Sequence, residues 1–321
     1  MAGFLNSPTI GQKHTTQQSL RFKLTNHPYS SAVMNKCKPA SRHYLQIVTL
    51  VASALSFSAR SANYEWTFNS GNLSTSLGNG TMAYADAQSG TLTTFGSTGG
   101  GVPNIGGQVA NFIHVPAFVN AANGYNLTLN DTGPNGGGSY VNQYTMIYDF
   151  LSPGPLNWTP FFNTDPANGN DADFYLAYDG SVGIGSLYSG LNVIAPNTWY
   201  RLAFVANLSA GTMSYYVNGT QVATGSQGGS GLDGRWSLYS NLDAGHDLRL
   251  LNEPSGAYTH ELYVNSIAFA DRAMTGPELQ ALGGPNAAGI FAVPEPATGS
   301  LLLAGLAGLW LTRFRGKLSK V

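Results

Sequence analysis

The chain has 321 residues, 40 of them glycine and 16 proline, with only 10% charged, a composition that points to a loop-rich β protein of one large sandwich or two smaller domains. The formal net charge of −1 hides a segregation: all 16 acids lie from Glu65 onward, and only Arg201, Arg235, Arg249 and Arg272 are basic between Ser61 and Thr312. That stretch therefore carries −12 and no lysine, which repels nucleic acid and anionic lipid and leaves carboxylates for a hard cation such as Ca²⁺.

Residues Met1–Val33 are polar, hold no acid and show no periodicity; they are either an extension or an over-long gene start with translation from Met34. From Met34 the order is that of a secretory signal. Lys36, Lys38 and Arg42 form a basic start, Leu45–Phe57 an apolar run, and Ala59-Arg60-Ser61 a site for cleavage before Ala62. The run is too short to span a membrane comfortably. The single cysteine, Cys37, precedes it, so a lipoprotein anchor is excluded and the cleaved chain holds no thiol. A domain this long can bury a core without disulfides. The expected organisation is an uncertain extension over 1–33, a signal peptide over 34–61, one β domain over 62–290 and a tail over 293–321.

The body reads as short strands between Gly, Asn, Pro and Ser loops. Tyr64–Phe68 alternates at a period of two, and Gly90–Gly107 is expected to be mobile surface loop. Gln108–Phe118 and Gly124–Leu129 are the next strands. Ser139–Leu151 alternates at length, with Tyr140, Asn142, Tyr144, Met146, Tyr148 and Phe150 on one face. Asp173–Tyr178 and Ser181–Leu187 form a hairpin turning at Asp179-Gly180. Trp199–Val205, Thr212–Val217 and Thr220–Ala223 follow as strands, the last two joined by a type I′ turn at Asn218-Gly219. His260–Ala270 closes the set with Ile267 and Phe269 on one face. Thr275-Gly276-Pro277-Glu278 is then a capping box for a short helix ending at Gly283.

The run Trp199-Tyr200-Arg201-Leu202-Ala203, a polar turn, then Tyr215-Tyr216-Val217-Asn218-Gly219-Thr220-Gln221-Val222-Ala223 resembles the laminin-G-like branch of the concanavalin A-like lectin/glucanase superfamily. The resemblance spans some 220 residues and implies an all-β, two-sheet antiparallel jelly roll. Glycoside hydrolases of that superfamily set carboxylates on one strand face as Glu-x-Asp-x-x-Glu, because glycoside cleavage needs a carboxylate pair. The five glutamates, Glu65, Glu253, Glu261, Glu278 and Glu295, show no such spacing. The body also lacks an HExxH pattern and a Gly-x-Ser-x-Gly elbow. Two kinds of ligand site remain open. Asp165, Asp171 and Asp173 could bind Ca²⁺ as laminin-G-like rims do, or form a polar hairpin loop that binds nothing; their spacing is not that of an EF-hand. Trp158 and Trp236, set among Gly, Pro and Asn, are the aromatics expected to stack on sugar rings, the others serving as core.

The tail reads Val293-Pro294-Glu295-Pro296, then an apolar run Gly299–Leu311, then Arg313, Arg315, Lys317 and Lys320. The prolines bar a helix from crossing them, and the cations suit the cytoplasmic side of a short membrane helix. This order resembles the PEP-CTERM sorting signal of Gram-negative bacteria. The resemblance implies recognition at Pro294-Glu295-Pro296 by an exosortase-type processing enzyme, with transient membrane association. The expectation is an exported, non-catalytic surface or matrix protein whose jelly roll contacts exopolysaccharide or a surface protein. A hydrolase or lyase of the same superfamily and a purely structural matrix protein are the alternatives.

Overall fold

Alternation at a period of two puts one face of each strand against a partner sheet, and two such sheets stack into a sandwich. The computed structural model describes residues 63–165, 172–239, 247–253, 255–256, 258 and 260–291. One sheet contains β1 (Asn63–Trp66), β3 (Thr94–Ser97), β4 (Asn111–Val115), β6 (Gln143–Leu151), β11 (Trp199–Asn207), β12 (Thr212–Val217), β13 (Thr220–Gly225) and β15 (Leu262–Ala270). Its order is β13-β12-β11-β6-β15-β4-β3, with β1 paired to β15 beside that path. The second contains β2 (Gly80–Tyr84), β5 (Tyr125–Leu129), β7 (Thr159–Asn163), β8 (Asp173–Leu176), β9 (Val182–Ile184), β10 (Leu187–Tyr188) and β14 (Asp247–Leu250), in the order β10-β9-β8-β7-β14-β5-β2. Both sheets are antiparallel, so the protein is an all-β sandwich.

The core between the sheets is aromatic. Phe204 of β11 meets Phe162 of β7 at 5.0 Å and Phe174 of β8 at 5.1 Å between ring centroids, and all three are fully buried. Each such ring stabilises the fold by about 1.5–3 kcal/mol relative to leaving it exposed. Tyr144, Met146, Tyr148 and Phe150 of β6 face this core as the alternation predicts. The opposite face of β6 is buried as well. There Ile147 packs with Ala203, Val205 and Ala268 beneath Leu279 of helix α2 (Gly276–Leu282) and Ile290. Glu278 Oε2 accepts the Thr275 backbone N–H at 2.7 Å, and Gly283 ends the helix at φ 62°, so the expected capping box and stop are both in place.

Charged groups staple this helical cover to the sheet. Arg201 of β11 donates to both carboxylate oxygens of Asp149 on β6, at 2.7 and 2.6 Å. Its remaining N–H groups reach the carbonyls of Leu282 and Gly289 at 2.7 and 3.3 Å. Glu65 Oε1 of β1 accepts the backbone N–H of Ile290 at 2.5 Å and of Phe291 at 3.2 Å. Burial raises the Glu65 carboxyl above its usual range, against the pull of those two N–H groups.

Three segments differ from expectation. The single strand expected over Ser181–Leu187 stops at Ile184, turns at Gly185 with φ 58° and returns as β10 against β9. Within Gly90–Gly107, expected to be loop, lie the end of helix α1 (Ala87–Leu92) and strand β3. Asp86 Oδ1 accepts the Ser89 N–H at 2.8 Å and starts the helix, while β3 gains a partner in β4 that no local signal announces. The long strand begins at Gln143, not Ser139, because Asp233 takes the backbone N–H groups of Ser139 and Tyr140 at 2.7 and 3.0 Å. A carboxylate there replaces the ladder.

Candidate functional site

The outer face of the seven-stranded sheet carries an aromatic depression around Trp158, just before β7. Asn157 fixes the approach, its Oδ1 accepting the Trp158 backbone N–H at 2.8 Å. In β8, Phe174 and Leu176 turn into the core at 0% exposure, so Tyr175 between them must point outward. The register then aligns Tyr175 with Gly183 of β9, and Gly183 with Tyr188 of β10. Gly183 must be glycine. A Cβ there would sit 2.7 Å from the Tyr188 Cα and closer still to the Leu187 carbonyl oxygen. No side chain therefore stands between the two tyrosines.

Two loops complete the site. The β8–β9 turn carries Tyr178, which is 64% exposed with its ring 5.8 Å from Trp158. The loop after β14 carries Tyr258, 46% exposed, with its ring 5.9 Å from both Trp158 and Tyr175. Glu253 holds that loop: buried itself, it accepts the Ser255 N–H at 2.7 Å, the Ser255 hydroxyl at 2.6 Å and the Tyr258 N–H at 3.1 Å. Trp158 is thus the hub of four tyrosines, the others being Tyr175 at 6.1 Å and Tyr188 at 6.4 Å. Trp158, Tyr175, Ile184, Tyr188 and Tyr258 line a depression of about 230 Å³. Burial, then the nearby Asp179 carboxylate and Tyr258, push the Tyr188 phenol up. The surface presents ring faces and edges flanked by hydroxyls, which is what a half-apolar, half-polar ligand needs.

Of the residues singled out in sequence, Trp158 is in this site and Trp236 is not. Trp236 is 1% exposed, stacks on Phe204 at 5.6 Å and donates its Nε1–H to the Gly228 carbonyl at 3.1 Å. It is core, and its expected sugar-stacking role is withdrawn. Asp165 and Asp173 both lean on Asn163. The Asn163 Nδ2 donates to Asp173 Oδ1 at 2.5 Å, and its Oδ1 accepts the Asp165 N–H at 2.8 Å. Asp171 lies outside the described residues, as do Val293, Pro294, Glu295 and Pro296. Among the described residues no three His, Cys, Asp or Glu side chains gather as a metal site, and no helix is long and apolar enough to cross a membrane. The sequence reading missed Tyr175, Tyr178, Tyr188 and Tyr258. The available signal was Tyr175 itself, an aromatic in the outward phase of a strand whose inward phase was already filled.

Another surface cluster lies on the eight-stranded sheet. The His114 Nε2 is 2.9 Å from Glu261 Oε1, and the His114 ring stacks on Tyr263 at 4.8 Å. The histidine contact is close but not aligned as a hydrogen bond, and the Tyr263 hydroxyl is what donates to that Glu261 oxygen, at 3.0 Å.

No family model and no curated protein matches the chain. Among solved structures it is similar to domain 4 of a GH43 extracellular arabinanase from Geobacillus stearothermophilus, in complex with arabinotriose, at 18% identity and a TM-score of 0.41 over 70% of this chain and 98% of that one. The CBM40 of Ruminococcus gnavus IT-sialidase matches at 14% identity and a TM-score of 0.37, over 46% of this chain and 85% of that one. The binding domain of botulinum neurotoxin serotype G matches at 12% identity and 0.41, over 69% and 50%. Scores of this size carry nothing about ligand or activity.

Proposed function

We propose that the domain binds polysaccharide without cleaving it, using the depression around Trp158. The observation that carries this reading is the gathering of Trp158, Tyr175, Tyr178, Tyr188 and Tyr258 from four separate segments onto one outer face. Rings that a core does not need have been brought together and partly exposed. The sandwich is read as a laminin-G-like jelly roll, supported by the Asn218-Gly219 turn between β12 and β13, whose φ values are 50° and 79°. The Val293–Pro296 motif and the residues after it support export to a Gram-negative surface or matrix through an exosortase-type enzyme. Among the described residues no carboxylate lines the depression itself. Of the four buried acids among the described residues, Glu65 and Asp149 are 4% and 0% exposed beneath the backbone of 282–291, Asp165 bonds Asn163 through its backbone N–H, and Glu253 is spent on holding the loop of Tyr258.

Affinity electrophoresis through gels cast with glucan, mannan, galactan or the exopolysaccharide of the producing cell tests the reading. Trp158→Ala should weaken retardation about 30-fold, the effect of losing one ~2 kcal/mol hot-spot ring. A domain that no polysaccharide retards, or one retarded equally after the substitution, refutes it.

A further inference from the structure

Ring stacking is open to any pyranose, so the choice among glycans must come from charge. Every arginine of the domain is engaged with other groups or lies outside the lining of the depression. Arg201 is closed on Asp149 beneath the helical cover. Arg272 pairs with Glu278 of α2 at 2.9 Å. Arg249, 8% exposed, donates to the carbonyls of Ala121 and Asn123 at 3.0 and 2.7 Å and to Asn126 Oδ1 at 3.0 Å. Arg235 lies along Gly229, where an added Cβ would meet its Cγ at 2.6 Å. None of the four lines the depression. The sequence from Ser61 to Thr312 holds no lysine, so no further loop can bring one.

An anion stands beside the depression instead. Asp179 follows Tyr178 in the β8–β9 turn, and its Oδ1 accepts the Ser181 hydroxyl at 2.6 Å and the Ser181 N–H at 3.0 Å. Those bonds hold the Asp179 carboxyl below its ordinary range, so it is charged at neutral pH. The depression, about 230 Å³, is below the ~300–1,000 Å³ of an enclosing cleft. A depression of that size grips only a short stretch of chain, and the rest of a polymer passes over a domain whose sequence from Ser61 to Thr312 carries −12.

We propose that the depression selects uncharged pyranose chains and rejects glycans bearing uronate, sialate or sulfate, because no arginine or lysine lines it and the Asp179 carboxylate stands beside Tyr178 and Tyr188. This rests on the glycan-binding reading above. A bound anion would lose its hydration to rings that offer it no counter-charge, and would meet a like charge beyond them.

The test uses β-1,4-glucan, β-1,3-glucan, mannan and galactan oligosaccharides. Each is paired with the form in which the C6 primary alcohol has been oxidised to carboxylate, so that backbone and stacking face are kept. For whichever backbone binds, the oxidised form should bind on the order of tenfold more weakly at low salt, within the range for one like-charge contact. The gap should narrow at 0.5 M salt, where screening falls to within about 3–10 Å. Asp179→Asn, which keeps an acceptor for Ser181, should narrow it at low salt while leaving the melting temperature near that of the parent. Trp158-dependent binding of neutral and oxidised forms alike would overturn the charge selection and leave glycan binding standing. Neutral binding that survives Trp158→Ala would overturn the reading on which it rests, and this inference with it.

Discussion

Replacing Asp149 with asparagine removes one half of a buried ion pair and leaves the other half in place. In the native domain Arg201 is 3% and Asp149 0% exposed, and the two share hydrogen bonds of 2.7 and 2.6 Å. Asp149 Oδ2 also accepts the Asn286 N–H at 3.1 Å, so one carboxylate serves both the sheet and the segment that covers it. An asparagine offers one oxygen where the guanidinium needs two, and it carries no charge. Breaking a buried pair from one side typically costs about 3–5 kcal/mol, because an uncompensated charge stays inside. At roughly 2–4 °C per kcal/mol for a domain of this size, Asp149→Asn should lower the melting temperature by about 6–20 °C. The assay is thermal unfolding followed by circular dichroism, with Arg272→Ala as the control, since the exposed Arg272–Glu278 pair should contribute about 0–1 kcal/mol. Asp149→Leu combined with Arg201→Met should recover much of the loss, because neither charge then remains buried. A fall no larger than that of the Arg272 control would refute the account of the staple.

Gly219 has φ 79°, and a Cβ there would lie 2.9 Å from the Leu279 carbonyl and 3.0 Å from the Gln280 Cα, both backbone atoms of α2. Gly219→Val should therefore destabilise the domain by roughly 1–3 kcal/mol, and an unchanged melting temperature would show that the turn tolerates a side chain. Glu65→Gln keeps an oxygen for the Ile290 and Phe291 N–H groups but cannot ionise. Because burial raises the native Glu65 carboxyl, its contribution is present below the unfolded carboxylate range and lost as pH rises through the raised value. The variant should accordingly gain on the parent as pH rises above the unfolded carboxylate range of about 4, and melting curves that run parallel from there upward would contradict the sign.

Strands legible together with their partners were those whose pairing is local. The β8–β9 hairpin turns where Asp179-Gly180 said it would, with Gly180 at φ 75°, and Asn218-Gly219 joins β12 to β13. For strands with distant partners, alternation announced β1, β6 and β15 but not what they pair with, and β2 and β14 gave no sign at all. β14 pairs with β5 and β7, far away in the chain, and β2 pairs with β5 across an intervening helix and strands. The alternation of Ser139–Leu151 predicted one buried face, yet Ile147, Asp149 and Leu151 on the other face are buried too. Period two identifies two faces. It does not say that α2 and residues 283–291 will cover the second one, and a buried aspartate looks in sequence like a solvated one until its arginine is seen across the strand.

The same physics explains the site. Trp158 and Trp236 stand in similar Gly, Pro and Asn surroundings, and composition alone ranks them equally. What separates them is a cross-sheet ring: Phe204 takes Trp236 into the core, while Trp158 finds tyrosines of the outer face, two of which, Tyr178 and Tyr258, are exposed. Local sequence reports that a large ring is present and that the chain bends there. Whether the ring has a partner inside is decided by strand order, which only the fold supplies. Tyr175 is the informative exception, because alternation with Phe174 and Leu176 assigns it outward from sequence alone. An outward aromatic on a strand whose inward positions are already apolar adds nothing to the core, and Tyr175 lies in the wall of the depression with Trp158 beside it.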